Sequence, residues 1–367
     1  MRSRLVLFMF LAAIMISLTP LESVLAARGA PGSAEFGFGA HLNLNGQFAI
    51  EGVRLASDLQ LDWMGLDLSW RSVAPKSGPV DWSRLDPILD AAAHSQLAVM
   101  VSLTDAPEWA LASQGPDADK TAQFITQLVK RYPQVVQAVE LFPGANTLQG
   151  WGRAPDPKAY MKVLNAVKNA IKKSNPQVRL VGAGLKPVLA ADGKTTQDID
   201  DTAFLQSLYK NGLAAAVTIV SLQANDLTGE PLQASDRSEP RVLRHYENIR
   251  QVMLDNGHES GLIWITRLAP PSGALNAEDQ KYQEPAAQSE WFNQAYSQLK
   301  SQLYIGVAFF SALNPSDSGS PVSLIQNLGD YHPFYRSLRE LISINRSDPS
   351  GSRPGRAKDQ PLQKSIK

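Results

Sequence analysis

The stretch LDWMGLDLSWRSVAPKSGPVDWSRLDPILDAAAHSQLAVMVSLTDAPEWA, residues 61–110, contains one complete repeat of the chain's architecture. Asp62 to Leu68 and Leu97 to Leu103 are short apolar runs, and residues 83–96 between them carry apolar side chains at helical intervals. Two strand-length runs joined by a helix make a βαβ unit, which sets two strands parallel in one sheet. The same alternation continues on either side. Further strands are expected at Phe36 to His41, Val135 to Phe142, Val178 to Gly184, Ala216 to Gln223, Gly261 to Arg267 and Tyr304 to Phe310. The matching helices fall near 47–60, 118–131, 156–174, 202–212, 240–256, 285–301 and 333–344, several opened by the Ser, Asp or Pro that favours a helix start.

Eight strands alternating with eight helices imply an α/β fold, the (β/α)8 barrel, and a span of ~310 residues suits one such domain with loop insertions. An open doubly wound sheet would lead from its first strand into a GxGxxG turn. FGFGAHLNLNGQ at 36–47 lacks the third glycine, and GAGLKP at 182–187 is no better a match. The single barrel domain is expected over residues 27–345, and the Ser-, Pro-, Gly- and Lys-rich residues 346–367 read as a disordered tail.

The 367 residues carry 35 basic and 35 acidic side chains, so no charge excess favours a nucleic acid or an anionic membrane. The absence of cysteine excludes disulfides, thiolate metal sites, a cysteine nucleophile and a lipid-bearing cysteine. Arg2 and Arg4 precede an apolar run from Leu5 to Leu18, and Val24-Leu25-Ala26 supplies the small residues of a cleavage site. Residues 1–26 therefore read as a signal peptide, and the mature chain is expected to be secreted or otherwise extracytoplasmic, with no membrane attachment after cleavage. If uncleaved, the run would serve as an anchor, though it is short of the roughly 20 residues that span a bilayer.

A (β/α)8 barrel places function at the carboxyl ends of its strands. By the strand assignments, those ends carry His41, Asn43, Asp67, Trp70, Asp105, Glu108, Trp109, Glu140, Asn146, Trp151, Lys186, Gln223, Asn225, Asp226, Trp264, Arg267 and Phe310. Residues 61–110, most specifically SGPVDWSRLD and APEWA, resemble the second and third βα units of the clan A retaining glycoside hydrolases, the endoglucanase and β-xylosidase-like barrels. The similarity continues in register to YIGVAFFSALNP at 304–315. That resemblance implies two glutamates, an acid/base at the end of the fourth strand and a nucleophile at the end of the seventh, about 5 Å apart across the glycosidic bond.

VELFPGANTLQGW, 139–151, aligns with the fourth-strand segment through Glu140, Leu141, Phe142 and Asn146, but the acid/base position is Gly144. On the seventh strand WIT is present at 264–266 and the nucleophile position is Arg267. Two supporting positions differ as well: the family's second-strand arginine falls on Gly65, and its sixth-strand histidine on Gln223. A glycine has no side chain to transfer a proton and an arginine stays protonated and cannot attack an anomeric carbon, so neither can do the family's chemistry.

Three functional classes follow. The first is a secreted, catalytically degenerate barrel that binds carbohydrate, or a cell-surface protein partner, through Trp70, Trp109, Glu140, Asn146, Trp151, Gln223, Trp264 and Arg267. Trp109 and Trp151 are the expected sugar platforms, although tryptophans at a rim also serve as filler under the loops. The second is an active hydrolase using relocated carboxylates among Asp67, Asp105, Glu108, Glu140 and Asp226, at the roughly 6.5 to 9.5 Å separation of inverting enzymes. The third is a structural or assembly subunit of the cell surface. No cofactor and no metal are expected, because the five histidines show neither His-x-His nor HExxH spacing. No Gly-x-Ser-x-Gly elbow is present, which argues against an esterase. Arg267 is expected to pair with Glu140, or failing that Asp67, in the space left by Gly144.

Overall fold

The computed structural model describes residues 28–347 except 32, 34, 189–196, 236–238, 275 and 316–322. Residues 1–26, expected from the sequence to be a signal peptide, and residues 348–367 of the expected tail lie outside the described residues. Eight parallel strands close a barrel: β1 (Gly37–Leu42), β2 (Trp63–Ser69), β3 (Ala98–Thr104), β4 (Val136–Leu141), β5 (Arg179–Leu185), β6 (Ile219–Gln223), β7 (Leu262–Leu268) and β8 (Ile305–Ser311). Each pairs with its sequence neighbours, and β8 returns to β1 with Gly37 opposite Val307 and His41 opposite Ser311. These are the eight strands expected from the sequence. β6 starts later than expected because Leu213–Ala216 closes a short helical turn before it.

Eight helices cover the barrel: α1 (Ala49–Asp58), α2 (Leu85–His94), α3 (Ala118–Arg131), α4 (Pro157–Ser174), α5 (Asp201–Lys210), α6 (Tyr246–Asp255), α7 (Pro285–Ser301) and α8 (Phe334–Ser347). Three of them, α3, α4 and α5, start on an aspartate side-chain cap. The Asp117 carboxylate accepts from the Asp119 and Lys120 amides at the head of α3, and Asp156 accepts from Lys158 and Ala159 at α4, whose first residue is Pro157. α4 then buries Tyr160, Met161, Val163, Leu164, Val167 and Ile171 on one face.

Inside the barrel, a plug at the amino-terminal end of the strands contains Trp63, Met100, Val181, Ile219, Trp264, Val307 and Phe309. The Trp63 and Trp264 rings meet edge to face at 4.9 Å. Their indole N–H groups donate to Arg28 O (2.7 Å) and Gly29 O (3.1 Å), so the segment entering β1 is stitched across the bottom. Gly306 permits that approach: a Cβ there would lie 2.4 Å from Gly29 O and 2.7 Å from the Trp264 ring. Filling the lower barrel leaves the upper end of the strands, and the loops after them, to carry function.

Candidate functional site

Strand pairing sets Asp67 opposite Ser102 and Ser102 opposite Glu140, so three polar side chains from β2, β3 and β4 share one inward-facing layer. Arg267 joins them from β7 through a local irregularity. Along β7, Trp264 and Thr266 are buried, and simple alternation would turn residue 267 away from the interior. Between β7 and β8, however, Ile265 opposes Ala308 while Leu268 opposes Phe310, which gives β7 an extra residue, and Arg267 has φ 55°. This bulge, with a left-handed residue in it, swings the guanidinium into the mouth. Asp105 (φ 51°), Phe142 (φ 48°) and Ala183 (φ 78°) are also left-handed non-glycine residues at or near the carboxyl ends of strands. Strained backbone thus occurs at this end of the barrel on β3, β4, β5 and β7, although Gln60 and Gln96, before β2 and β3 at the other end, are left-handed as well.

The guanidinium bridges two carboxylates. Arg267 Nη2 donates to Asp67 Oδ1 at 2.5 Å, and Nη1 lies 3.6 Å from Glu140 Oε2. The two partners differ in environment, since the Asp67 side chain is 43% exposed and that of Glu140 is fully buried. Ser102 Oγ donates to Glu140 Oε2 at 2.5 Å, while Glu140 Oε1 is buried with no hydrogen-bond partner. Burial acts to raise the Asp67 pKa, but the charge and hydrogen bond of Arg267 outweigh it and hold the carboxyl below its usual range. Arg267 is itself depressed by burial, and Asp67 and Glu140 more than restore it, so the guanidinium is permanently charged.

His41 completes the cluster. Its ring is buried, neither nitrogen has a hydrogen-bond partner, and Nδ1 is 3.9 Å from Asp67 Oδ1. Burial, together with Arg267 and against the pull of Asp67, lowers its pKa to about 4, so at neutral pH it is an uncharged filler. Gly65 makes its room: a Cβ on Gly65 would stand 2.7 to 2.9 Å from three atoms of the His41 ring. An arginine at position 65 and the observed His41 ring are therefore mutually exclusive. At the other family position, Gly144 has φ +77°, and its amide donates to Gly184 O at 2.5 Å. The turn is one that side-chain-bearing residues rarely adopt.

Several expected ligand-binding residues are placed otherwise, and these are corrections. Trp151 is 1% exposed, its Nε1 donates to Gln114 O at 2.6 Å, and its ring packs against Phe142, Tyr160 and Gly115. Trp70 is fully buried between Trp109 and Phe124. Trp264 lies three residues before Arg267, in the bottom plug rather than at the top face. These rings offer no open face to a sugar, because helices and loops cover them on both sides. Asn146 is also fully committed: Nδ2 donates to Lys186 O and Ile199 O, and Oδ1 accepts from the Lys186 amide. Gln223 is buried and donates to Gly184 O at 3.2 Å. Trp109 alone among the four tryptophans is partly open, with Nε1 on Ala74 O and Lys120 Nζ 5.9 Å above its ring.

The remaining rim carboxylates are already engaged by cations. Asp105 accepts from Arg71 at 2.9 Å and from Ser69, Glu108 pairs with Arg153 at 3.1 Å, and Asp226 pairs with Lys186 at 3.1 Å. Ser102 was absent from the sequence-derived site, although a polar residue inside the apolar run AVMVSLT is a visible signal. Among the described residues no group of three or more His, Cys, Asp or Glu could hold a metal ion, and no helix is long and apolar enough to cross a membrane.

No protein-family model and no curated protein matches the sequence. Solved structures do resemble the barrel. A family 39 glycoside hydrolase from the gut symbiont Bacteroides cellulosilyticus WH2 superposes with a TM-score of 0.63 at 15% identity, over 85% of this chain and 64% of that one. The GH39 enzyme from Xanthomonas axonopodis pv. citri gives 0.57 at 15% identity, over 87% of this chain and 68% of that one. The fold is that of the clan A glycoside hydrolases. A β-glycosidase, BGL167, matches over 91% of this chain and its own full length, with a TM-score of 0.56 at 14% identity. At such identities the likeness is one of fold, and the chain spans 64% of the first of these proteins. Within this glycosidase-like barrel, the ion cluster of Asp67, Glu140 and Arg267 sits at the end where members of the superfold build their sites.

Proposed function

We propose that this glycosidase-like barrel is a secreted protein without glycosidase chemistry, which holds a carbohydrate at its top face. The observation that carries the reading is the Arg267 guanidinium lodged between Asp67 and Glu140. Retaining hydrolysis needs one carboxyl group to attack and another to move a proton. Here the nucleophile position aligned by resemblance is a cation, the acid/base position is Gly144, and the two nearest carboxylates spend their charge on Arg267. The carbohydrate part of the proposal rests on the fold neighbours being glycoside hydrolases and on Trp109, whose ring is partly open at the rim. Secretion rests on Arg2, Arg4 and the Leu5 to Leu18 run; amino-terminal sequencing of exported protein should begin at or near Ala27.

The test is a glycan array on the mature protein beside a panel of nitrophenyl glycosides and a fluoro-sugar trap. Glycan binding without turnover supports the reading. Turnover, or a covalent glycosyl adduct, overturns the loss of chemistry. Absence of both binding and turnover removes the carbohydrate and leaves a cell-surface protein partner or an assembly role as the barrel's task.

A further inference from the structure

A second polar constellation lies outside the barrel mouth, where three loop and helix-end segments converge. Asp201 is the first residue of α5, His245 ends the short 3-10 turn Leu243–His245 that leads into α6, and Ser235 lies in the long loop after β6. His245 Nε2 meets Asp201 Oδ2 at 2.8 Å, and His245 Nδ1 meets Ser235 Oγ at 3.3 Å. Asn248, on the first turn of α6, donates through Nδ2 to Ser235 Oγ at 3.1 Å and lies 3.3 Å from His245 Nδ1. Asp201 is fully buried and His245 nearly so, while Ser235 is partly open to solvent.

The order of contacts fixes the proton positions. A carboxylate only accepts, so Nε2 carries the imidazole proton and Nδ1 presents its lone pair to the serine hydroxyl and to the Asn248 amide, each 3.3 Å away. The other Asp201 oxygen accepts from the Thr202 amide at 3.0 Å, which holds the carboxylate, and through it the ring, in place. A buried acid orienting a histidine whose free nitrogen faces a serine is the arrangement that activates a hydroxyl nucleophile. Such arrangements are recognised by geometry and roles, whatever their order along the chain. Here the ring is used in reverse of the usual sense, with the acid on Nε2 and the serine on Nδ1. The absence of a Gly-x-Ser-x-Gly elbow is no obstacle, because this serine stands on a loop and needs no strand-to-helix turn to expose it.

We infer that Ser235, His245 and Asp201 form an acyl-transfer site for carboxylic esters, independent of the barrel mouth. Ser235 Oγ forms a bond to the ester carbonyl carbon as its proton passes to His245 Nδ1. The tetrahedral oxyanion collapses, the bond from carbon to the leaving alcohol oxygen breaks, and Nδ1–H protonates that oxygen. Water then repeats the sequence, giving its proton to Nδ1 and displacing Ser235, which leaves as the hydroxyl. The products are one alcohol and one carboxylic acid. The Asn248 amide, beside Ser235 Oγ, is the group placed to donate to the oxyanion. Asp201 touches no reacting atom and acts as a positioning residue.

The test is labelling of the full chain with a fluorophosphonate, mapping of the adduct by peptide mass, and hydrolysis of 4-nitrophenyl acetate. The expected result is one adduct on Ser235, with ester hydrolysis falling at least ~100-fold in Ser235→Ala. Asp201→Asn keeps the shape of the side chain but reverses the preferred tautomer, so labelling should slow by ~100-fold or more while the melting temperature stays near that of the parent. The adduct on the parent protein decides the matter even where Asp201→Asn fails to fold. No fluorophosphonate adduct on Ser235, or ester hydrolysis that survives Ser235→Ala, overturns the inference.

Discussion

Replacing Arg267 by methionine keeps much of its length and removes its charge, which isolates what the guanidinium does for the barrel mouth. By distance alone the Asp67 contact, at 2.5 Å, is stronger than the Glu140 contact at 3.6 Å. Burial reverses that order. The Asp67 side chain is 43% exposed, so water and salt take over its solvation when Arg267 is lost, and its share is under ~1 kcal/mol. Glu140 is fully buried, already has one oxygen without a partner, and would keep only Ser102. Stranding such a charge costs about 3 kcal/mol or more, so Arg267→Met should lose about that much stability. Adding Glu140→Gln should return about 2 kcal/mol of it, and adding Asp67→Asn less than ~1 kcal/mol. Urea denaturation of the single and double variants, read as two double-mutant cycles, measures both couplings. Coupling larger at Asp67 than at Glu140 would refute the argument from burial. Absence of coupling at both would remove the ion cluster from the account of stability.

Trp151→Ala should cost about 3 to 5 kcal/mol because a fully enclosed ring is lost, and an unchanged melting temperature would show instead that the ring is dispensable surface. His41 titrates near 4 in the folded chain and near 6.5 unfolded, so the unfolded state binds more protons between those values. Stability should therefore fall as pH drops from about 6.5 to about 4, by up to about 3 kcal/mol, and His41→Asn should flatten that limb of a stability-versus-pH curve. Asp67 contributes in the opposite sense for a carboxylate held below its usual range. Its pairing is fully present above the unfolded carboxylate pKa and is lost as pH falls through the lower folded value, so Asp67→Asn should remove part of the acid lability below about pH 4. Gly144→Glu with Arg267→Glu should give no nitrophenyl glycoside turnover, since residue 144 is at φ +77° and His41 occupies the space beside Gly65; measurable turnover would contradict this.

The sequence by itself determined the barrel. Parallel strands covered on both faces must be apolar along their length, and helices packed on them must be apolar on one side, so all sixteen elements leave a periodic signal. It also placed Glu140, Asp67 and Arg267 at strand ends, because counting along a strand suffices for that. Tertiary structure decided which way side chains face and what closes over them. Trp70 and Trp151 do stand near strand ends, as their positions suggest, but the cover over them comes from residues 106–116 and from Phe124 of α3 or Tyr160 of α4, and nothing local to either tryptophan announces that cover. Arg267 enters the mouth only because a bulge between β7 and β8 breaks the alternation of the strand, a feature of pairing between residues about forty positions apart. Asp201, Ser235 and His245 come from a helix start, a loop and a turn with no motif spacing among them. Their meeting is a consequence of how α5, α6 and the β6 loop pack, since hydrogen bonding between side chains is set by distance in space and leaves no period along the chain.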